Sequence, residues 1–168
     1  MTAGAPYRVV VTGIGIVSPI GIGVRPFWEN TLAGKVGVGR LTRFDPRDFN
    51  SHVAAQIDDF DVSEHLEHKL YRRTDRYAQF TLVASKQALD DAKFEIGDGG
   101  DDVGVWIGSA LAGLAFAESQ HDSYREHGAR AVRPLLAISV FGGAATANVA
   151  LAFGVRGANV ANANSCAA

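Results

Sequence analysis

The chain has 168 residues, of which 47% are apolar and 20% are charged, which is enough to bury the hydrophobic core of a globular domain. Its 16 basic and 18 acidic residues give a formal charge of −2 without a long block of either sign, so nucleic-acid binding is not expected. The single cysteine cannot form an internal disulfide, and residues 1–8 lack a basic and apolar signal pattern. Together these features predict a cytoplasmic protein.

The first predicted element is a strand over residues 7–17. Its β-branched run, Y-R-V-V-V-T-G-I-G-I-V, is typical of a strand that is covered on both faces. Gly13 and Gly15 could begin a dinucleotide-binding motif, but Ser18 stands where its third glycine belongs. We therefore expect no nucleotide cofactor, and we interpret the glycines as positions where backbones pack closely.

The next segment is predicted to be mostly irregular. A short helix begins at Pro26 and ends at Ala33, where Gly34 follows as a stop signal. Residues 35–62 carry turn formers, with an edge strand predicted over residues 52–57.

Two histidines raise the question of a metal site. His65 and His68 stand three residues apart in a predicted helix over residues 63–70, so they would share one face. No third ligand is placed by the spacing. We therefore expect a solvent-exposed helical face and no metal.

The strongest periodic pattern predicts an amphipathic helix over residues 74–94. A polar turn separates it from a second strand over residues 103–108, which is predicted to be buried. A helix between two such strands is typical of a parallel sheet with crossover helices, and this pattern predicts an α/β fold.

Small residues follow the second strand, and two further helices come after them. The run S-A-L-A-G-L, residues 109–114, would either admit a ligand at the end of the strand or let a helix pack closely. A helix ending at Gly128 follows, and then one long uncharged helix from Leu136 to Phe153. Although residues 135–155 have the length of a membrane span, paired glycines and polar residues interrupt them, so we predict a buried helix and no membrane segment.

The last twelve residues, G-A-N-V-A-N-A-N-S-C-A-A, predict a buried strand that turns sharply into a helix, with Cys166 in the turn. The N–H groups of such a turn can activate a thiolate and receive an oxyanion. A lone cysteine among alanines can equally be a small buried apolar residue, so these residues alone leave both interpretations open.

Five segments carry a family resemblance that covers essentially the whole chain. They are V-V-V-T-G-I-G-I-V-S-P-I-G (9–21), F-W-E-N-T-L-A-G-K-V-G-V (27–38), R-R-T-D-R-Y-A-Q-F (72–80), G-V-W-I-G-S-A-L-A-G-L (104–114) and F-G-V-R-G-A-N-V-A-N-A-N-S-C-A-A (153–168). In this order and spacing the chain resembles the N-terminal half of a β-ketoacyl-ACP synthase. It is most similar to the elongating condensing enzymes of type II fatty-acid and polyketide synthesis.

The resemblance implies a thiolase-like α/β fold, in which residues 1–168 form the N-terminal α/β/α half of a five-layer sandwich and end just after the nucleophile. It also implies that Cys166 accepts an acyl group from acyl carrier protein and then condenses it with malonyl-ACP after decarboxylation. Leu111 falls at the acyl pocket in this family, and Leu135 and Leu136 fall near the pocket floor and the dimer contact. No cofactor is implied.

The resemblance also defines what the chain would need from elsewhere. The family's second half supplies two catalytic histidines, a lysine and the other oxyanion donor, so we expect a complementary C-terminal half or second chain, in a homodimer or a heterodimer with a related subunit. Asn164-Ser165 replaces the family's usual threonine-alanine, and Ala158 replaces a proline. Two alternatives remain: a non-catalytic partner or scaffold subunit, and a thiolase-fold enzyme that uses acyl-CoA.

Overall fold

The computed structural model describes residues 8–168. The strands are β1 Val17–Ser18, β2 Gly21–Ile22, β3 Val38–Arg40, β4 Val53–Ala55, β5 Val105–Gly108 and β6 Asn159–Asn162. The helices are α1 Val24–Leu32, α2 His68–Tyr71, α3 Arg76–Ala92, α4 Leu114–His127, α5 Leu136–Ser139 and α6 Ala144–Phe153. Short 3₁₀ turns lie at Val62–Glu64, Gly97–Asp102, Ala129–Ala131 and Ser165–Ala167.

The described strands form three two-stranded sheets. The β1 and β2 strands pair antiparallel, as do β3 and β4, whereas β5 and β6 pair in parallel with Trp106 opposite Val160. The connection from β5 to β6 contains α4, α5 and α6. This parallel pair with crossover helices confirms the α/β class.

The hydrophobic core lies between α3, α6 and one face of β5. Leu82 and Val83 of α3 and Val149 of α6 are buried there, together with Phe60 and Leu66 from the segment before α3. The Asp75 side chain begins α3 by accepting a hydrogen bond from the Ala78 N–H at 3.1 Å, as N-cap carboxylates do. The helix predicted over residues 74–94 is therefore confirmed, with slightly shorter bounds.

The predicted strand over residues 7–17 is wrong for the residues that the structure describes. Tyr7 lies outside the described residues, and residues 8–16 form no strand. Val9 is 90% exposed, so two-sided coverage is wrong there as well. The segment runs along α3 instead, because the Gln87 side chain accepts a hydrogen bond from the Ile16 N–H at 2.9 Å. Side chains of α3 thus accept hydrogen bonds from backbone N–H groups that would otherwise pair with a neighbouring strand.

The long helix predicted from Leu136 to Phe153 is broken into α5 and α6. The break contains Gly142 and Gly143, which weaken a helix interior because glycine loses more conformational freedom than other residues. The Thr146 hydroxyl donates to the Gly143 carbonyl at 2.9 Å and stabilises the break. Within residues 8–168, no helix combines the length and apolar character needed to cross a membrane.

Candidate active site

Cys166 lies in a tight turn that directly follows β6. Ser165 has a positive φ of 54°, and the chain then forms the 3₁₀ turn Ser165–Ala167. The N–H of Ala167 donates to the Asn164 carbonyl at 3.1 Å. Cys166 is exposed, and Val160 in β6 is 41% exposed. The predicted order of strand, turn and cysteine is present, but the predicted burial of the strand is wrong in the described chain.

Asn162 and Asn164 hold this turn together. The Asn162 side-chain amide donates to the Ala167 carbonyl at 3.3 Å, and its oxygen accepts from the Asn164 N–H at 3.1 Å. The second bond is an Asx turn, a local closure that asparagine favours. The asparagine-rich sequence before Cys166 therefore supplies hydrogen bonds that fix the turn from within.

The turn with Cys166 lies beside the loop that follows β5. Parallel strands end at the same edge of a sheet, and the Ser109 N–H donates to the Asn162 carbonyl at 2.9 Å. A Cβ added at Gly108 would lie 2.9 Å from the Cβ of Ala168. Any side chain at position 108 would therefore clash with the end of the turn. The two loops therefore share one edge of the β5–β6 pair.

Leu111 lies in that neighbouring loop. Its side chain is 67% exposed. The next residue, Ala112, has a φ of 46°, an unusual backbone conformation for alanine. The Ala112 N–H donates to the Ser109 hydroxyl oxygen at 3.1 Å. This bond closes the loop around Leu111.

Leu135 and Leu136 lie at the start of α5, whose other end contacts the same loop. Both are partly buried at the start of that helix. At the helix end, the Ser139 carbonyl would lie 2.2 Å from a Cβ added at Gly113. The backbone of α5 therefore packs directly on the loop that carries Leu111. Their predicted role in an acyl pocket stays a prediction.

Sequence reasoning missed the polar residues at the start of α3. Asp75 is buried, and burial raises the pKa of its carboxyl. Burial also raises the pKa of the Tyr77 phenol, although a hydrogen bond with Ser109 acts in the opposite direction. The segment R-R-T-D-R-Y contains both residues, yet periodicity assigns them only to a helix start. Nothing in the sequence indicates which loops they contact.

The histidine pair serves packing in the structure. The ring of His65 stacks on Phe60 with centroids 5.8 Å apart, and His68 meets Tyr71 edge-on at 5.4 Å. Among residues 8–168, no group of three histidine, cysteine, aspartate or glutamate side chains is arranged to hold a metal ion.

The α/β architecture and the cysteine turn at the ends of two parallel strands define a partial domain of the thiolase-like ketosynthase fold. Solved structures with this fold include the ishigamide ketosynthase/chain length factor, with a TM-score of 0.76 and 25% identity over 94% of this chain and 40% of that chain. A β-ketoacyl synthase from Burkholderia phymatum STM815 gives a TM-score of 0.72 at 23% identity, over 92% of this chain and 39% of that chain.

The chain belongs to the β-ketoacyl synthase family: residues 7–168 match the family described as Beta-ketoacyl synthase, N-terminal domain. It is 37% identical over 161 residues to 3-oxoacyl-[acyl-carrier-protein] synthase 2 of Staphylococcus aureus (strain N315). The aligned region covers 95% of this chain and 39% of that protein. The protein of the same name from Coxiella burnetii is 36% identical, with the same coverage of 95% and 39%. The chain thus spans about two fifths of the length of these curated relatives.

Proposed function

We propose that the protein containing this chain is a β-ketoacyl-ACP synthase, and that this chain forms the N-terminal half of its condensing domain. The exposed Cys166, in the turn at the end of β6, carries this proposal. The family match supports it, because that match includes the turn. The proposed reaction joins an acyl group to a two-carbon unit from malonyl-ACP, in fatty-acid or polyketide synthesis.

The proposed chemistry begins at the Cys166 sulfur. Its thiolate attacks the thioester carbonyl of an acyl-ACP, the thiol of the carrier protein leaves, and an acyl-cysteine forms. Malonyl-ACP then loses carbon dioxide, and the resulting carbanion attacks the acyl-cysteine carbonyl. A carbon–carbon bond forms and the thiolate of Cys166 is released. The N–H of Cys166 is proposed as one donor to the oxyanion.

The proposed acyl pocket uses Leu111, Leu135 and Leu136. Their support is that Leu111 lies in the loop that the end of α5 contacts at Gly113, and that Leu135 and Leu136 begin this same helix. Apolar side chains at this position would bind the hydrocarbon part of the acyl group by excluding water from it.

The proposed partners are acyl carrier protein and a complementary C-terminal half, in the same chain or in a second one. One solved structure of this fold, 20% identical with a TM-score of 0.69, is a type II PKS acyl-carrier protein in complex with its ketosynthase. The complementary half would supply the two histidines that promote decarboxylation. It would also cover the outer face of β5 and β6, where Trp106 is 66% exposed.

We also propose a dimer and a cytoplasmic location. The outer edge of β6 supports a dimer, because within the described residues β6 pairs only with β5 and its other edge can accept a strand. The single cysteine of the sequence supports a reducing compartment.

Mass spectrometry of the intact protein tests the proposal. Incubation with an acyl-ACP is expected to add the mass of one acyl group to Cys166, and the Cys166→Ala variant is expected to lack the adduct. Ser165→Ala is the matched control because it keeps the thiol. Absence of an adduct from both acyl-ACP and acyl-CoA would exclude the catalytic role and favour a non-catalytic subunit. An adduct from acyl-CoA but not from acyl-ACP would favour the acyl-CoA-dependent alternative.

A further inference from the structure

Asn162, the last residue of β6, joins the turn of Cys166 to the β5–β6 pair. It lies opposite Gly108 in register, and its carbonyl accepts a hydrogen bond from the Ser109 N–H at 2.9 Å. These contacts fix the backbone of Asn162 to the neighbouring strand. The side chain of Asn162 therefore begins from a position that β5 determines.

The side-chain amide of Asn162 binds the turn on both sides of the cysteine. Its oxygen accepts a hydrogen bond from the Asn164 N–H at 3.1 Å, two residues before Cys166. Its NH₂ group donates to the Ala167 carbonyl at 3.3 Å, one residue after Cys166. The acceptor and the donor of one carboxamide are both used in this way. Cys166 therefore lies in a segment, residues 164–167, that a single side chain closes.

These two hydrogen bonds connect the segment to the strand. The bond from the Ala167 N–H to the Asn164 carbonyl, at 3.1 Å, lies within residues 164–167 and would move with them. Within residues 8–168, the hydrogen bonds that join this segment to the rest of the fold are the two of the Asn162 side chain. The position of the segment relative to β6 therefore depends on that amide.

The backbone inside the closed segment is strained. Ser165 has a φ of 54°, and a residue other than glycine keeps such a conformation only where its surroundings impose it. Without the amide of Asn162, Ser165 is free to leave this conformation, and Cys166 moves with it. A displacement of about 1 Å from the geometry of attack can lower a reaction rate by about a hundredfold.

We propose that Asn162 is a positioning residue for the nucleophile, because its side-chain amide holds residues 164–167 against the end of β6 and so fixes the direction from which the Cys166 sulfur attacks the thioester. This inference rests on the proposed function. The hydrogen bonds of the amide go to backbone groups of Asn164 and Ala167. Asn162 therefore acts on the rate of acyl transfer and leaves the binding of the acyl-ACP unchanged.

The Asn162→Ala variant of the intact protein tests the inference, since it removes both hydrogen bonds. The rate of Cys166 acylation is followed by intact mass over a range of acyl-ACP concentrations, which gives a maximal rate and a half-saturating concentration. We expect the maximal rate to fall by about five- to a hundredfold, the size expected for the loss of two neutral hydrogen bonds. The half-saturating concentration should change by less than about twofold, because substrate binding is unaffected.

Asn159→Ala is the matched control. Asn159 lies in the same strand, but its amide donates to the Thr146 carbonyl at 3.3 Å and so binds α6 instead of the turn. This variant should keep the maximal rate of wild type. Asn162→Ser provides a graded change, since its hydroxyl can still accept from the Asn164 N–H but is too short to reach Ala167. Its maximal rate should lie between those of wild type and Asn162→Ala.

The end point of the reaction separates positioning from loss of folded protein. Unfolded protein lowers the fraction of Cys166 that is finally acylated, but it leaves the rate constant of the folded fraction unchanged. Equal maximal rates in wild type and Asn162→Ala would overturn the inference, as would a change confined to the half-saturating concentration or an equal fall in Asn159→Ala. If Asn162→Ala does not fold, a wild-type rate in Asn162→Ser overturns it. Failure of wild type itself to form an adduct would instead overturn the proposed function.

Discussion

Two non-glycine residues with left-handed backbone lie on either side of the candidate site. Ala112 has a φ of 46° and Ser165 a φ of 54°. Such conformations cost roughly 1 kcal/mol or more each and are retained where the fold imposes them. Ala112 orients the loop of Leu111, and Ser165 directly precedes Cys166. Two of the three such residues in the described chain therefore lie next to the groups to which we assign function, and the third, Lys93, ends α3.

Asp75 provides a residue-scale prediction about pH. Burial raises the pKa of its carboxyl above the ordinary value of 3.8, so the folded state binds this proton more tightly than the unfolded state. Its contribution to the free energy of unfolding is complete below pH 3.8 and is lost as pH rises through the folded pKa. Asp75→Asn keeps a helix cap without the charge. The variant should therefore gain stability relative to wild type as pH rises through this window, measured by urea unfolding.

Asp61 is the matched control for this experiment. It also caps a helical turn, but hydrogen bonds from Ser63 lower the pKa of its carboxyl. Its contribution is present above pH 3.8 and lost as pH falls through the lowered pKa, so Asp61→Asn should show the opposite dependence, at lower pH. A stability difference between Asp75→Asn and wild type that stays constant with pH would contradict the prediction.

At the scale of elements, the segment over residues 8–16 and α3 pack backbone to backbone. A Cβ added at Gly15 would lie 1.8 Å from the Ala84 carbonyl oxygen, which belongs to a helix and cannot move aside. We therefore expect Gly15→Ala to lower the free energy of unfolding by about 1–3 kcal/mol, as overpacking does. Chemical denaturation of the intact protein measures this change.

Gly39 in β3 provides the control for Gly15. A Cβ there meets nothing within 4 Å, so Gly39→Ala should change the free energy of unfolding by less than about 0.5 kcal/mol. Equal effects of the two substitutions would show that close packing against α3 is not what glycine provides at position 15.

Local sequence patterns predict the elements that do not depend on contacts with residues far away in the sequence. They predict α3 from its apolar face, α4 from the stop at Gly128, and the strand β5 from a short apolar run. They fail for residues 8–16, since their pairing depends on Gln87 and Asp91, side chains of α3 that accept their N–H groups. The break between α5 and α6 is missed because the uncharged, alanine-rich flanks predict one continuous helix even though the paired glycines are recognised.

The candidate site is likewise predicted only in part from the sequence. Cys166 and the three leucines follow from the family resemblance, and their roles stay predictions. The hydrogen bond from Tyr77 to the Gly142 carbonyl could not be predicted, because the two residues are far apart in sequence and only the fold brings them together.

At the scale of the whole molecule, one face of the β5–β6 pair lies open. Trp106 and Val160 are opposite each other in register and are 66% and 41% exposed. Burying such a face is worth about 25 cal/mol for each Å² of apolar area removed from water. This open face is the strongest physical support for a complementary half.

Hydroxyl-radical footprinting of the intact protein tests this coverage. Trp106 should be oxidised much more slowly than in the urea-denatured protein, because the complementary half shields it. Phe44, which is 54% exposed and packs edge-on against Phe49, is the internal reference. Oxidation of Trp106 at the rate seen after denaturation would show that nothing covers the face.

The parallel pairing of β5 with β6 also has a consequence for biosynthesis. The ribosome makes β5 first and must then add α4, α5 and α6 before β6 can pair with it. Closing so long a loop is slow compared with forming a hairpin or a helix. During this interval the nascent chain exposes the unpaired edge of β5 and the indole of Trp106. The cysteine-bearing turn can therefore form only after α4, α5 and α6 have been made, and a chaperone that shields apolar strands would act before it appears.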